Sequence, residues 1–307
     1  MLKAGKPNEA VALLSTLDGN TPGREKLLGK AYFQTKEFPQ AIVHLRTALQ
    51  QVPNDPISEQ FLALSFYGHG NYREALPLLE KLGPRLRENS ADSAQLLSVC
   101  YVMTQQFDQA RKSLAEMFGV PSGSAMAHLA LAKLLVRQKR VEAAVPQIET
   151  ALKLDPRLAM AHFLMGEIDL YQSRPEAAIT EFQQELALNP TLWLVYWRLG
   201  DSYVRLKNYD KAEKMLKVAV WLNDGSSAAL VLLGEIAIKK QDPALAAGFL
   251  ERALSLDPEN AESHDLLASA YKLLGRETEA NQQVEMSKKL RRELHISDSG
   301  VEESAPW

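Results

Sequence analysis

The residues whose chemistry is easiest to imagine are histidines. His128, His162 and His264 share one position of a 34-residue period, so His128 and His162 are expected to be neighbours across stacked repeats. Two stacked imidazoles could seed a metal site, but a closed site takes four ligands. No cysteine or carboxylate stands at ligand spacing beside them. The plainer reading is helix–helix packing, and no metal or cofactor is expected. His44 falls on a second helix and His69 in an inter-helix turn, neither with a partner in sequence. Cys100 is the single cysteine, which excludes an internal disulfide and a four-cysteine zinc site. Beside Tyr101 it reads as a small packed hydrophobe. There is no HExxH pair, no glycine-rich phosphate loop ahead of a lysine and no serine in a nucleophile elbow. The stretch Gly119 to Ser124 is glycine-containing, but no strand precedes it, and it reads as a longer loop or hinge between repeats. No catalytic residue emerges, and an enzyme is not expected.

Bulk composition narrows the classes further. Lysine and arginine total 35 against 38 aspartate and glutamate, a net charge of -3. A nucleic-acid tracker needs a basic stripe that displaces counterions, so nucleic acid is not an expected partner. No apolar run reaches the length that spans a bilayer, and membrane insertion is not expected. The opening MLKAGKPNEA lacks the apolar core of a signal peptide. The default compartment is then cytoplasmic, or periplasmic or secreted if an upstream signal has been truncated.

The elements that position these side chains show themselves through alanine. Ala110, Ala144, Ala178, Ala212, Ala246 and Ala280 return every 34 residues, and Ala41 and Ala75 continue the ladder upstream. A period of 20–50 residues marks a stacked array in which each repeat packs on its neighbours. Twelve residues before each alanine stands a small residue after Leu or Met, as in Leu28-Gly29, Met165-Gly166, Leu199-Gly200 and Leu233-Gly234. Four residues after it stands an apolar filler such as Leu45, Phe182, Leu216 or Leu250. Helical spacing puts alanine and filler on one face. Small residues on both helices allow a close crossing, so alanine is expected to face the small residue. Asp155-Pro156, Asn189-Pro190 and Asp257-Pro258 are expected to end one helix and cap the next, since Pro loses nothing in a first turn.

Laid along the chain, this ruler gives a partial repeat at 1–21, holding only a second helix. Eight repeats follow at 22–55, 56–90, 91–124, 125–158, 159–192, 193–226, 227–260 and 261–294. The second carries one extra residue near Gly83-Pro84, the last runs into a capping helix, and 295–307 is expected to be a disordered tail. The half-repeat suggests that Met1 is a boundary or an internal start.

The pattern Tyr196-x-x-Leu199-Gly200-x-x-Tyr203, followed by Ala212-x-x-x-Leu216, resembles the tetratricopeptide repeat over about nine-tenths of the chain. Departures occur at the usual Trp (His128, His162, Tyr196, Leu230, His264) and at the usual Tyr (Asp169, Ala237). The resemblance implies an all-α fold, a right-handed α-solenoid of stacked antiparallel helix pairs wound into a superhelix, with first helices lining the concave face. The outward slots implied there form a candidate partner-binding groove. They place Met126, Leu129, Met160, Phe163, Trp197 and Val231 in an apolar stripe, of the kind that dominates interface energies. Lys133, Arg137, Glu167, Tyr171, Asp201, Arg205, Glu235 and Lys239 flank it. The chaperone-tail clamp of some relatives is not assembled: Lys26 and Lys30 are followed by Gln60, Leu64, Gln95 and Val99. The expected function is a non-enzymatic protein–protein interaction scaffold that holds a peptide or helical segment of a partner protein. The alternatives are a regulatory or substrate-recruiting arm of a larger enzyme, or an envelope or secretion assembly lipoprotein lacking its N-terminus.

Overall fold

A computed structural model describes residues 2, 5–19, 21–86 and 92–298. Among the described residues there are seventeen helices and no strand, an all-α solenoid of helix pairs. Two compact units are formed, Met1–Leu154 and Asp155–Trp307. The first begins with a lone helix, α1 (Pro7–Ser15). Four pairs follow: α2 (Arg24–Gln34) with α3 (Phe38–Gln51), α4 (Pro56–Gly68) with α5 (Tyr72–Leu86), α6 (Asp92–Met103) with α7 (Phe107–Phe118), and α8 (Ala125–Arg137) with α9 (Val141–Leu154). The second unit holds α10 (Ala161–Tyr171) with α11 (Pro175–Leu188), α12 (Trp193–Arg205) with α13 (Tyr209–Leu222), α14 (Ser227–Lys239) with α15 (Pro243–Leu256), and α16 (Ala261–Leu273) with α17 (Glu277–Asp298). Helix α17 continues four residues into the stretch expected to be tail, and residues 299–307 lie outside the described residues. Helix α5 runs through Gly83 and Pro84 unbroken; residues 87–91, which follow, also lie outside them.

Every ladder alanine is buried, but the four socket glycines, Gly29, Gly166, Gly200 and Gly234, meet the filler rather than the alanine. A Cβ built on Gly200 would lie 2.5 Å from Leu216 Cγ, and one on Gly234 the same distance from Leu250 Cγ. At Gly166 the neighbour is Phe182, at 2.6 Å. The glycine is therefore a socket for a bulky side chain four residues beyond the alanine. The alanine itself keeps the second helix close enough for that side chain to reach it.

One backbone device turns every pair. Lys36, Gly70, Gln105, Lys139, Ser173, Lys207, Gln241 and Gly275 occupy the same repeat position, and all have positive φ. The following N–H reaches back five residues, as in Asn208 N to Tyr203 O at 2.9 Å and Arg276 N to Tyr271 O at 2.9 Å. This satisfies a carbonyl that the helix end would otherwise orphan. The geometry favours glycine, yet six of the eight positions carry a side chain and bear the left-handed penalty.

Turns between repeats differ from the expectation. Pro156, Pro190 and Pro258 lie in the loops, and the next helices begin later, at Ala161, Trp193 and Ala261. Asn189 and Asp257 end the preceding helices instead of capping the following ones. Caps come from other residues: Asn260 accepts from Ser263 N at 2.8 Å and Ser226 from Ala229 N at 3.4 Å. Helix α10 has no cap of its own, because Met160 stands there at φ 68°. Its orphan donors are taken by Glu185, fully buried on α11, which accepts from Met160 N at 2.9 Å and Phe163 N at 3.3 Å. Asn189 Nδ2 donates to the same carboxylate at 2.6 Å. The helix dipole adds to the attraction.

Two substitutions should move stability in opposite directions. Gly200→Ala forces Leu216 off its seat and is expected to cost about 1–3 kcal/mol. Lys207→Gly removes left-handed strain from an exposed residue and should gain about 0.5–1 kcal/mol. Urea unfolding midpoints of the two variants against the parent chain check both signs.

Candidate functional site

The histidines are spent inside their own repeats. His128 Nδ1 lies 2.8 Å from Gln147 Oε1, His162 Nδ1 2.7 Å from Glu181 Oε2, and His264 Nδ1 2.6 Å from Gln283 Oε1. In each pair the partner is 19 residues on, across the helix pair. The first repeat makes the same bond with the types exchanged: Glu25 holds the first-helix slot and His44 the second, 2.7 Å apart, with Tyr32 stacked on the imidazole. This slot closes a helix pair. Among the described residues no group of three or more His, Cys, Asp or Glu gathers as a metal would need. Cys100 is buried, and burial pushes its thiol up to about 12, leaving almost no thiolate near neutral pH.

The groove positions divide by burial. In the first unit, α8 exposes Met126, Lys133 and Arg137, whereas Leu129 is buried in the helix packing. In the second unit, Val231 is likewise buried and Met160, Phe163 and Trp197 are half-buried. The outward apolar stripe expected from the sequence is thus interrupted. Leu129 and Val231 belong to the core because the first helices pack closely enough to cover this slot. Phe163 leans on Phe182 at 5.6 Å between centroids, and Trp193 lies 6.4 Å from Trp197.

The flanking charges of α10 and α12 form a linked set. Glu167, 3% exposed, meets Arg198 Nε at 2.5 Å and Nη2 at 2.6 Å. The Arg198 guanidinium lies 4.1 Å from the Trp197 ring centroid, where cation and π face attract. Asp201 stands 3.7 Å from Arg198 and 3.1 Å from Arg205. Burial raises the Glu167 carboxyl above the usual range, with the Arg198 charge opposing it. Glu235 is also raised by burial; Lys239 opposes the shift, and the charges of Glu262 and Asp201 reinforce it. Arg198 was not among the expected site residues. Its clasp spans 31 residues and two repeats, which no within-helix spacing reveals.

What stays accessible is a row at one repeat position. Tyr171, Arg205 and Lys239, spaced by 34 residues, are exposed at the C-terminal ends of α10, α12 and α14, and Tyr171 is 68% exposed. Arg137 holds the same position on α8 in the first unit and is exposed. Neither lysine weighed for a carboxylate clamp is idle: Lys26 donates to Asp55 at 3.0 Å, and Lys30 lies 5.2 Å from the Phe61 ring centroid. Trp221 on α13 is 82% exposed, and nothing in the periodic pattern singled it out.

Comparison with known proteins accords with this architecture. A family model described as tetratricopeptide repeat matches at residues 101–159, 129–192, 163–228 and 198–261. These windows together span 161 of the 307 residues. No curated protein matches the chain. Among solved structures, Pseudomonas aeruginosa PilF is similar at 20% identity and a TM-score of 0.54, over 69% of this chain and 94% of that one. The Cut9–Hcn1 hetero-tetramer of the APC/C matches at 16% identity and 0.53, over 92% of this chain but only 56% of the other. YrrB, described as having an unusual peptide-binding site, matches at 19% identity and 0.50, over 62% and 99%.

The Glu167–Arg198 clasp predicts a pH-dependent penalty. Removing the guanidinium with Arg198→Ala leaves a buried carboxyl unpaired, at a cost of about 3–5 kcal/mol near neutral pH. A carboxyl whose pKa is raised on folding favours the fold when protonated, and that contribution is lost as pH rises through the folded pKa. The deficit of Arg198→Ala should therefore be smaller at pH 5 than at pH 8. Thermal melts of parent and variant at the two pH values measure it.

Proposed function

The chain belongs to the tetratricopeptide repeat family, and from that premise we propose that it is a non-enzymatic scaffold that holds a peptide or helical segment of a partner protein. The family implies a protein-interaction scaffold. The partner is placed here along the first helices of the second unit. The observation that carries it is the exposed row Tyr171, Arg205 and Lys239, two turns beyond the half-buried rings of Phe163 and Trp197 on the same face. An exposed aromatic and two cations at fixed 34-residue spacing suit a segment lying across successive helices. They offer a ring for apolar contact and donors for carbonyls or carboxylates. The peptide-binding site described for YrrB supports a peptide-like occupant.

The occupant's chemistry follows from what the row lacks. Asp201 already holds Arg205 and Glu167 holds Arg198, whereas Glu235, four residues before Lys239, acts on it through charge alone. A segment with an apolar side chain near Tyr171 and an acid near Lys239 fits best.

The test uses residues that carry little of the fold. Full-length chain is immobilised, bound proteins are identified by mass spectrometry, and the leading partner is titrated. Tyr171→Ala with Lys239→Glu should keep the helical circular dichroism and weaken that partner at least tenfold. Undiminished affinity in the folded double variant would remove the row from the site.

A further inference from the structure

The last second helix, α17, presents a face that earlier repeats give to the next first helix. Tyr101 on α6 donates to Glu80 on α5 at 2.7 Å, and Tyr271 on α16 donates to Glu251 on α15 at 2.8 Å. Glu285 is the next member of this slot, 34 residues after Glu251. Asn281 follows Ala247 in the same way; Ala247 is buried in a cluster with Tyr271. On α17 these positions line an open groove with Gln282, Met286 and Lys289, and Met286 is 44% exposed. Arg292, exposed one turn beyond Lys289, continues the stripe with a second base.

The segment that follows is complementary in charge and reach. Residues 299–307 read Ser-Gly-Val-Glu-Glu-Ser-Ala-Pro-Trp, with two carboxylates, no base and an aromatic at 307. Asp298 stands nine residues past Lys289 on α17, roughly 14 Å along a helix. Nine residues extend up to about 30 Å, so a segment folding back reaches Arg292, Lys289 and Met286 in turn. Its order matches: acids at 302 and 303 arrive beside the two bases, and Trp307 arrives near Met286.

We propose that residues 299–307 fold back onto this face of α17, with Glu302 and Glu303 against Arg292 and Lys289 and Trp307 over Met286. The segment covers the face that a following first helix would cover, and competes with any outside helix for it. Apolar contact between Trp307 and Met286 supplies the anchor, since sulfur and aromatic rings attract. The charges set direction and weaken as salt screens them.

The test follows Trp307 in the full chain labelled with 5-fluorotryptophan, its fluorine resonance assigned with Trp307→Phe. Docking predicts a resonance shifted and broadened relative to the isolated 299–307 peptide. It should move to the peptide value in Lys289→Glu/Arg292→Glu and return when Glu302→Lys/Glu303→Lys is added. A resonance at the peptide value in the parent chain, or one indifferent to the charge reversals, would overturn the proposal. Tenfold dilution decides the source: an unchanged shift supports folding back within one chain, and a shift lost on dilution assigns the segment to a second copy and overturns it. If the charge variants fail to fold, a chain stopped after Asp298 serves instead. Faster hydrogen exchange across residues 281–289 than in the parent supports docking, and equal exchange overturns it.

Discussion

Everything in this molecule depends on how closely two helices of a pair can approach. The limit is a side chain entering a socket: Leu216 against Gly200, Leu250 against Gly234, Phe182 against Gly166. Where the socket residue is larger, as with Ala63, Ser98 and Ala132, the pair still closes, and both Ala63 and Ala132 are fully buried. Contact at this distance fixes the crossing of each pair. It therefore also fixes which first-helix residues lie in the packing and which reach solvent. Leu129 and Val231 are inside, and Tyr171, Arg205 and Lys239 are outside, for that reason.

The fold was legible because the array writes one physical requirement many times. Local contacts dominate such chains, so the same small-residue, alanine and filler spacing recurs from one repeat to the next. The loops were less legible. Proline's tolerance for a first helical turn suggested that Pro156, Pro190 and Pro258 open helices, but the turns between repeats use them earlier. The αL position at Lys36, Lys139 and Lys207 carries no glycine to announce it; only its recurrence in the structure shows it.

The candidate site was less legible still. Periodicity tells which residues share a position, and His128, His162 and His264 do share one. It does not tell whether that position points along the pair or out of it. Hydrogen bonds to Gln147, Glu181 and Gln283 answer that question, and those partners sit on a different helix at a spacing unrelated to helical turns. Arg198 escaped for the same reason. A charge whose partner lies 31 residues away across a repeat boundary looks, in sequence, like any other surface arginine.

The two kinds of polar bond have different consequences for how such a chain can be lengthened or shortened by unequal recombination. The bonds of Glu25 to His44 and His264 to Gln283 begin and end within one repeat, so a duplicated 34-residue cassette carries both halves. The Glu167–Arg198 clasp straddles a seam. Any exchange that places a breakpoint between those residues parts a buried carboxylate from its cation, unless the incoming segment brings another. A breakpoint at that seam carries the cost of a buried carboxylate left without its cation.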